Sequence, residues 1–394
     1  MSDRAMSELA PPERLLLGPG PANIHPRVHL ALAAPLLGHL DPAFLAIMDD
    51  TVTLLRQAFR TTNQLTIPIS GTGSAGMEAA LCNVLEPGDT IVIGVNGYFG
   101  ERMSDMASRY GAKVVRVEAP WGTAIAPELF EAALRQQSSV KVIAVVHAET
   151  STGVLQPLRE IAALAKAQGA LFLVDTVTSL GGADVRVDDW GIDICYSGTQ
   201  KCIGAPPGLA PLTLSPQALA VLRSRKTKVA NWYLDLTLLD KYWGSDRVYH
   251  HTAPISMIYS LREALRITLE EGLDARHARH HRTASMLRAG LQGMGIQPFV
   301  PDSIRANPLT TIVIPQGVDD LAVRKALLND FSIEIGGGLG PLRGKVWRVG
   351  LMGYNSTPRS VFTFLSALEQ ILPRHGFKLT PGSGLAAAQH ALAT

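Results

Sequence analysis

The chain has 394 residues, 46% of them hydrophobic and 18% charged, with 36 glycines, 25 prolines and a formal net charge of +2. Those proportions describe a compact globular protein and exclude a disordered or fibrous chain or a wholesale polyanion binder. Cys82, Cys195 and Cys202 are an odd, widely spaced set without a CxxC pair, so neither a disulfide framework nor a structural zinc site is indicated. In chain order, residues 1–20 read as an N-terminal arm. It shows no basic region followed by an apolar stretch, and no apolar run anywhere reaches the roughly 20 residues of a membrane helix. A soluble, cytoplasmic protein is expected. Short β-branched, apolar runs at 65–69, 90–95, 113–117, 140–147, 170–174, 193–196 and 209–214 then alternate with amphipathic stretches at 74–85, 102–110, 127–135 and 157–168. That alternation predicts an α/β fold over 21–260, a large domain whose mainly parallel sheet is covered on both faces. Near residue 261 the pattern changes to long helices over 255–271 and 274–294, followed by strand, helix, strand, strand and helix. A smaller C-terminal α+β domain over 261–380 is expected, with 381–394 as a loosely held tail.

Ligands of such sheets sit beyond the carboxyl ends of the strands, and two residues at strand ends carry chemistry. Asp175 closes the run Leu171-Phe172-Leu173-Val174, and Lys201 follows Tyr196-Ser197-Gly198-Thr199-Gln200 after the run through Ile192 and Ile194. A lysine amine forms a Schiff base with an aldehyde, and a buried carboxylate keeps a pyridine nitrogen protonated, so the pair suits pyridoxal 5'-phosphate. Taken singly, each has a plainer reading: Asp175 as a helix cap, Lys201 as a solvated side chain. The small or rigid neighbours Gly198 and Gly204-Ala205-Pro206-Pro207-Gly208 favour close approach of backbone and cofactor instead.

Gly71-Thr72-Gly73-Ser74-Ala75-Gly76 matches G-x-G-x-x-G after a strand and before a helix, which makes a nicotinamide-dependent oxidoreductase a rival. A dinucleotide fold wants an acidic residue at the end of the next strand, and that strand ends in Asn96. A single phosphate cradled by helix N-terminal amides with the Thr72 and Ser74 hydroxyls keeps the same physics. Thr72 stands where a serine hydrolase elbow needs glycine. The basic cluster Arg276, His277, Arg279, His280, His281 and Arg282 reads as a solvated helix face rather than a metal or nucleic-acid site, since no third ligand or interleaved aromatic accompanies it. His250 and His251 read the same way. No metal is expected.

The segments LLLGPGPANIHPRV, GTGSAGMEAALCNVLEPGD, NGYFGER, HAETSTGVLQPL, LVDTVTSLGG, GIDICYSGTQKCIGAPPG, RKTK, YHHTAP and GGLGPLRGKVWRVGLMG occur in this order. Together they resemble alanine-glyoxylate and serine-pyruvate aminotransferases, class V enzymes of PLP fold type I, over residues 14–373. The resemblance implies Lys201 as Schiff-base lysine, Asp175 as partner of the pyridine nitrogen, and Gln200, Thr72, Gly73 and Ser74 as phosphate ligands. It also places Ser151 near the ring hydroxyl and the substrate, Val177 on one ring face and Phe99 on the other, where close animal relatives carry tryptophan. Tyr249 and Thr252 match residues that reach the neighbouring subunit's phosphate across a homodimer interface. Arg348, in an otherwise apolar strand, matches the arginine that takes the substrate α-carboxylate, and a bidentate guanidinium fork suits that group. Asn23 is a further candidate carboxylate donor. The implied activity is ping-pong transfer from a small amino acid, alanine or serine, to glyoxylate or pyruvate. Open alternatives are 3-hydroxykynurenine, pyridoxamine-pyruvate and aspartate-glyoxylate specificities.

Overall fold

The computed structural model describes residues 8–393. Its larger sheet runs in the order Leu65–Ser70, Leu209–Leu214, Ile194–Tyr196, Leu171–Asp175, Val142–Val146, Thr90–Val95, Lys113–Glu118. Only Leu209–Leu214 runs antiparallel to its neighbours in this sheet, and every other adjacent pair is parallel. The inner strands are apolar and buried along their length, as strands covered on both faces must be. Lys113–Glu118 is the far edge and alternates toward solvent.

A second, antiparallel sheet orders Leu309–Val313, Val346–Gly350 and Gly336–Gly337. It has its own apolar cluster, in which Trp347, Leu327, Leu287 and Phe364 are fully buried. The expected change of pattern at 261 falls inside the helix Ile255–Glu271, whose Ile258, Leu261 and Leu265 pack in the larger core. Met286, Leu287 and Leu291 of the next helix, Leu273–Gly293, belong to the smaller one.

The region read as a loose tail forms the helix Ser383–Ala393, packed on Leu273–Gly293. Gly293 permits the approach, because a Cβ there would stand 2.7 Å from the Ser383 carbonyl oxygen. The Glu369 carboxylate accepts hydrogen bonds from the Gly382, Gly384 and Leu385 amides, satisfying the first turn of that helix. In the arm, Leu15–Leu16 pairs in parallel with Ile333–Glu334, a strand too short to show in the sequence pattern.

The basic cluster is not a solvated face. Arg276 is 4% exposed and His280 fully buried. Arg276 donates to the Gly181 and Cys202 carbonyls and pairs with Glu271 at 2.7 Å. Arg279 joins Glu271 to the Gly353 and Ser356 carbonyls. His280 Nε2 accepts from the Gly353 amide, and burial drives its pKa down to about 3, so the ring is neutral. His281 and Arg282 do face solvent. His250 is also buried, stacked on Trp232 at 4.3 Å, and His251 Nε2 meets Ser70 Oγ at 2.7 Å. His277 has Asp184 and Asp274 beside it, with ligand atoms within 4.8 Å of one another, but both carboxylates are ion-paired with Arg60.

Candidate active site

Parallel pairing sets Asp175 beside Tyr196, each at the carboxyl end of its strand. The Asp175 carboxylate, 3% exposed, accepts from Tyr196 Oη at 2.7 Å and from the Val177 amide at 2.8 Å. Burial pushes its pKa up to about 6, while these two hydrogen bonds and the nearby Lys201 and Arg102 cations pull the other way. The loop after Tyr196 carries Gln200 and Lys201. Lys201 is 8% exposed, and burial lowers its amine to about 8, with Arg348 lowering it further against the pull of Asp175 and Glu149. Its Nζ donates to the Pro19 carbonyl. The arm passes so close that a Cβ on Gly20 would lie 2.6 Å from Nζ.

The first glycine loop opens the helix Gly73–Val84, with Thr72 at the cap position. The Thr72 side chain caps no amide and the first turn holds no acidic residue, so the positive end of the helix is left available to an anion. Gln200 Oε1 is buried and has no hydrogen-bond partner among the described residues. Gly73 packs against the next two loops: a Cβ there would meet Val177 Cγ2 at 3.2 Å and Gly198 Cα at 3.8 Å. Ser74 Oγ accepts from Arg102 Nη1 at 2.9 Å, and the Arg102 guanidinium lies 4.9 Å from the centre of the half-buried Phe99 ring.

Ser151 Oγ donates to Glu149 Oε1 at 2.6 Å and accepts from the Tyr98 amide at 2.9 Å. Arg348 is 6% exposed, and its pKa falls to about 10 through burial. Its Nε donates to the Gly337 carbonyl at 2.8 Å and its Nη1 to the Thr150 carbonyl at 3.0 Å. Among the described residues no carboxylate forms a salt bridge with it.

The residues read from the sequence thus fall into one connected group: Lys201, Asp175, Gln200, Thr72, Gly73, Ser74, Val177, Phe99, Ser151 and Arg348. Asn23 stands apart in function. Its amide oxygen accepts from the Leu16 amide and Asn355 Nδ2, and its amide nitrogen donates to the Arg14 carbonyl, so it fastens the arm. Tyr249, 56% exposed, and the exposed Thr252 lie on the surface. Sequence reasoning passed over Tyr196, Glu149 and Arg102, although all three lie within the quoted segments.

The class-V aminotransferase family model matches residues 31–356. The (S)-ureidoglycine–glyoxylate transaminase of Bacillus subtilis is 40% identical over 97% of this chain and 96% of its own. The alanine–glyoxylate aminotransferase of Callithrix jacchus is 43% identical over 93% of this chain and 89% of its own. The crystal structure of an alanine–glyoxylate aminotransferase from Nostoc sp. superposes with a TM-score of 0.91 at 52% identity, covering 94% of this chain and 99% of that one. With the mainly parallel α/β fold in common and nearly the full length matched, this chain belongs to the class-V aminotransferases and is an aminotransferase.

Proposed function

We propose that the enzyme holds pyridoxal 5'-phosphate on Lys201 and moves the amino group of a small amino acid, alanine or serine, to glyoxylate or pyruvate in a ping-pong cycle. One observation carries the reading: a buried amine and a buried carboxylate, Lys201 and Asp175, within electrostatic reach of each other at the carboxyl edge of a parallel sheet. The surroundings fit the cofactor. A helix N-terminus free of acids, an uncapped threonine hydroxyl and a buried amide end of Gln200 without a partner suit a phosphate, and amide oxygen and nitrogen exchange places by a simple side-chain flip. The glycine approach between Gly73, Val177 and Gly198 leaves one wall thin enough for a flat ring to lie on. Such a phosphate cradle serves the Gly71 loop without any ribose, so the nicotinamide alternative is set aside.

When bound, the cofactor supplies an aldehyde for an amine and a ring that takes up electrons. The rest falls to the chain. Lys201 Nζ, lowered to about 8, has a free-base fraction of roughly a tenth at neutral pH, enough to act as nucleophile and then to carry the donor's α-proton as base and acid. Asp175, fixed by Tyr196 and Val177, offers its charge to a protonated ring nitrogen. Thr72, Gly73, Ser74 and Gln200 hold the phosphate, Val177 and Phe99 cover the two ring faces, and Ser151 faces the ring hydroxyl. Phe99 has a smaller face than tryptophan and no indole donor, which weakens stacking without touching the chemistry. Arg348 presents its fork to the substrate α-carboxylate. Tyr249 and Thr252, exposed on one subunit, complete the phosphate site of the other in a homodimer.

Gly20, pressed against the lysine amine, leaves little room beside it and favours small donors. Glyoxylate is the acceptor in the names of the relatives above, and the donor is where those names divide. A screen of purified enzyme with alanine, serine, aspartate, 3-hydroxykynurenine, pyridoxamine and (S)-ureidoglycine against glyoxylate and pyruvate tests the assignment. Highest kcat/KM with alanine or serine is expected. Turnover confined to any other donor overturns it.

A further inference from the structure

We infer that Glu149 is a positioning residue of this site: one buried carboxylate sets both the Phe99 ring and the Ser151 hydroxyl. What Phe99 and Ser151 touch rests on the cofactor reading above; the geometry of Glu149 does not. Glu149 is 1% exposed, and no salt bridge is formed with it among the described residues. Its charge is met by three donors instead. Oε1 accepts from the Ser151 amide at 3.0 Å and from Ser151 Oγ at 2.6 Å, and Oε2 accepts from the Phe99 amide at 3.1 Å.

Two consequences follow from those bonds. The helix Tyr98–Arg109 begins after Gly97, which has no side chain with which to cap it. Its first amides therefore go elsewhere, Phe99 to Glu149 and Tyr98 to Ser151 Oγ, itself held by Glu149. The carboxylate thus fixes the start of the helix on which the Phe99 ring is mounted. The second consequence concerns the hydroxyl. A serine has one proton to give, and Ser151 gives it to Glu149 while one lone pair takes the Tyr98 amide, so toward any ligand Ser151 Oγ presents its remaining lone pair and acts as an acceptor. Burial pushes the Glu149 pKa up, and the Ser151 and Phe99 hydrogen bonds act against that rise.

Gly97 belongs to the same device. A Cβ on it would overlap Cγ and Cδ of Glu149 and stand 2.6 Å from Ser151 Oγ. Its backbone is fully extended, at φ 179° and ψ −176°, a conformation open to any residue. Gly97→Ala therefore displaces the Glu149 and Ser151 side chains without straining the backbone.

The test compares Glu149→Gln and Gly97→Ala with the parent protein, in two forms. In the cofactor-free protein, hydrogen exchange at the Tyr98 and Phe99 amides is expected to speed up about tenfold, the worth of one hydrogen bond to a charged group. In the loaded enzyme, the pyridoxal phosphate dissociation constant is expected to rise about tenfold and kcat to fall more than KM changes. Unchanged exchange at Phe99, or cofactor affinity within about twofold of the parent in a variant that has lost only melting temperature, overturns the inference. Should Glu149→Gln fail to fold, Gly97→Ala decides by the same readings. A parent enzyme that turned over neither alanine nor serine would defeat the donor assignment and leave the exchange result standing.

Discussion

Arg276 and Arg348 are buried almost equally, at 4% and 6% exposure, and differ in what their guanidinium groups meet. Arg276 holds two backbone carbonyls and the Glu271 carboxylate, which drops to about 2 with Arg279 and Arg276 beside it. Arg348 holds two backbone carbonyls and, among the described residues, no carboxylate. Burying a cation without an anion is costly, so a chain that spends a carboxylate on one arginine and none on the other is using them differently. The first is scaffold: through the Cys202 carbonyl it steadies the residue next to Lys201. On the function proposed above, the second is left for the substrate carboxylate. Lys201 belongs with Arg348, since among the described residues the Pro19 carbonyl is the one hydrogen-bond partner of its amine.

The contrast can be broken most severely at Lys201. Lys201→Ala is expected to lower kcat by about four orders of magnitude or more and to remove the visible absorption of bound cofactor, as loss of both nucleophile and proton carrier demands. Arg348→Ala comes next: kcat/KM for amino donors should fall about a hundredfold to a thousandfold, mostly through KM, with a smaller loss of stability than Arg276→Ala, since it too bares two carbonyls but strands no carboxylate and removes a buried cation that has no anion. Arg276→Ala should show the reverse pattern. It leaves Glu271 half-paired and two carbonyls bare, costing about 2 to 3 kcal/mol in denaturant unfolding, with kcat/KM at low temperature within a few fold of the parent. Equal effects of the two arginine variants on stability and on KM would erase the distinction.

Two smaller effects sharpen it. Burial lowers the Lys201 amine from its ordinary 10.5 to about 8, so the charged form is disfavoured and the free base accumulates as pH rises through that value. The rate at which cofactor-free protein captures pyridoxal phosphate, followed by stopped-flow absorbance, should climb from pH 7 and level off just above 8. A climb continuing to about 10 would mean an ordinary, solvated lysine. The smallest expected change is at Phe99. Phe99→Trp enlarges the stacking face and should tighten cofactor binding by a few fold, about 0.5 to 1 kcal/mol, read by equilibrium titration.

The sheet and its strand-end residues were legible because buried parallel strands are near-continuous apolar runs, and the residues that end them stand out by chemistry. Asp175 and Lys201 needed no contact information to be noticed. The basic helix face reads as solvated in the sequence because arginine is rarely buried unless paired, and the pairing is not visible there. The burial of Arg276 and His280 depends on carbonyls and amides at Gly181, Cys202 and Gly353, which are remote in sequence. The C-terminal helix was missed for a related reason: its alanine-rich stretch carries little pattern of its own, and its mate is a pair of glycines, Gly290 and Gly293, on another helix. Nothing in the sequence singles out Glu149. Its role is visible only when Ser151 and the amide of Phe99 converge on it.

The central claim is a covalent one, and chemical trapping tests it most directly. The purified enzyme, reduced with borohydride and digested, should carry the phosphopyridoxyl mass on the peptide containing Lys201 and on no other. The label on a different lysine, or a fully loaded enzyme that yields no labelled peptide, would contradict the account.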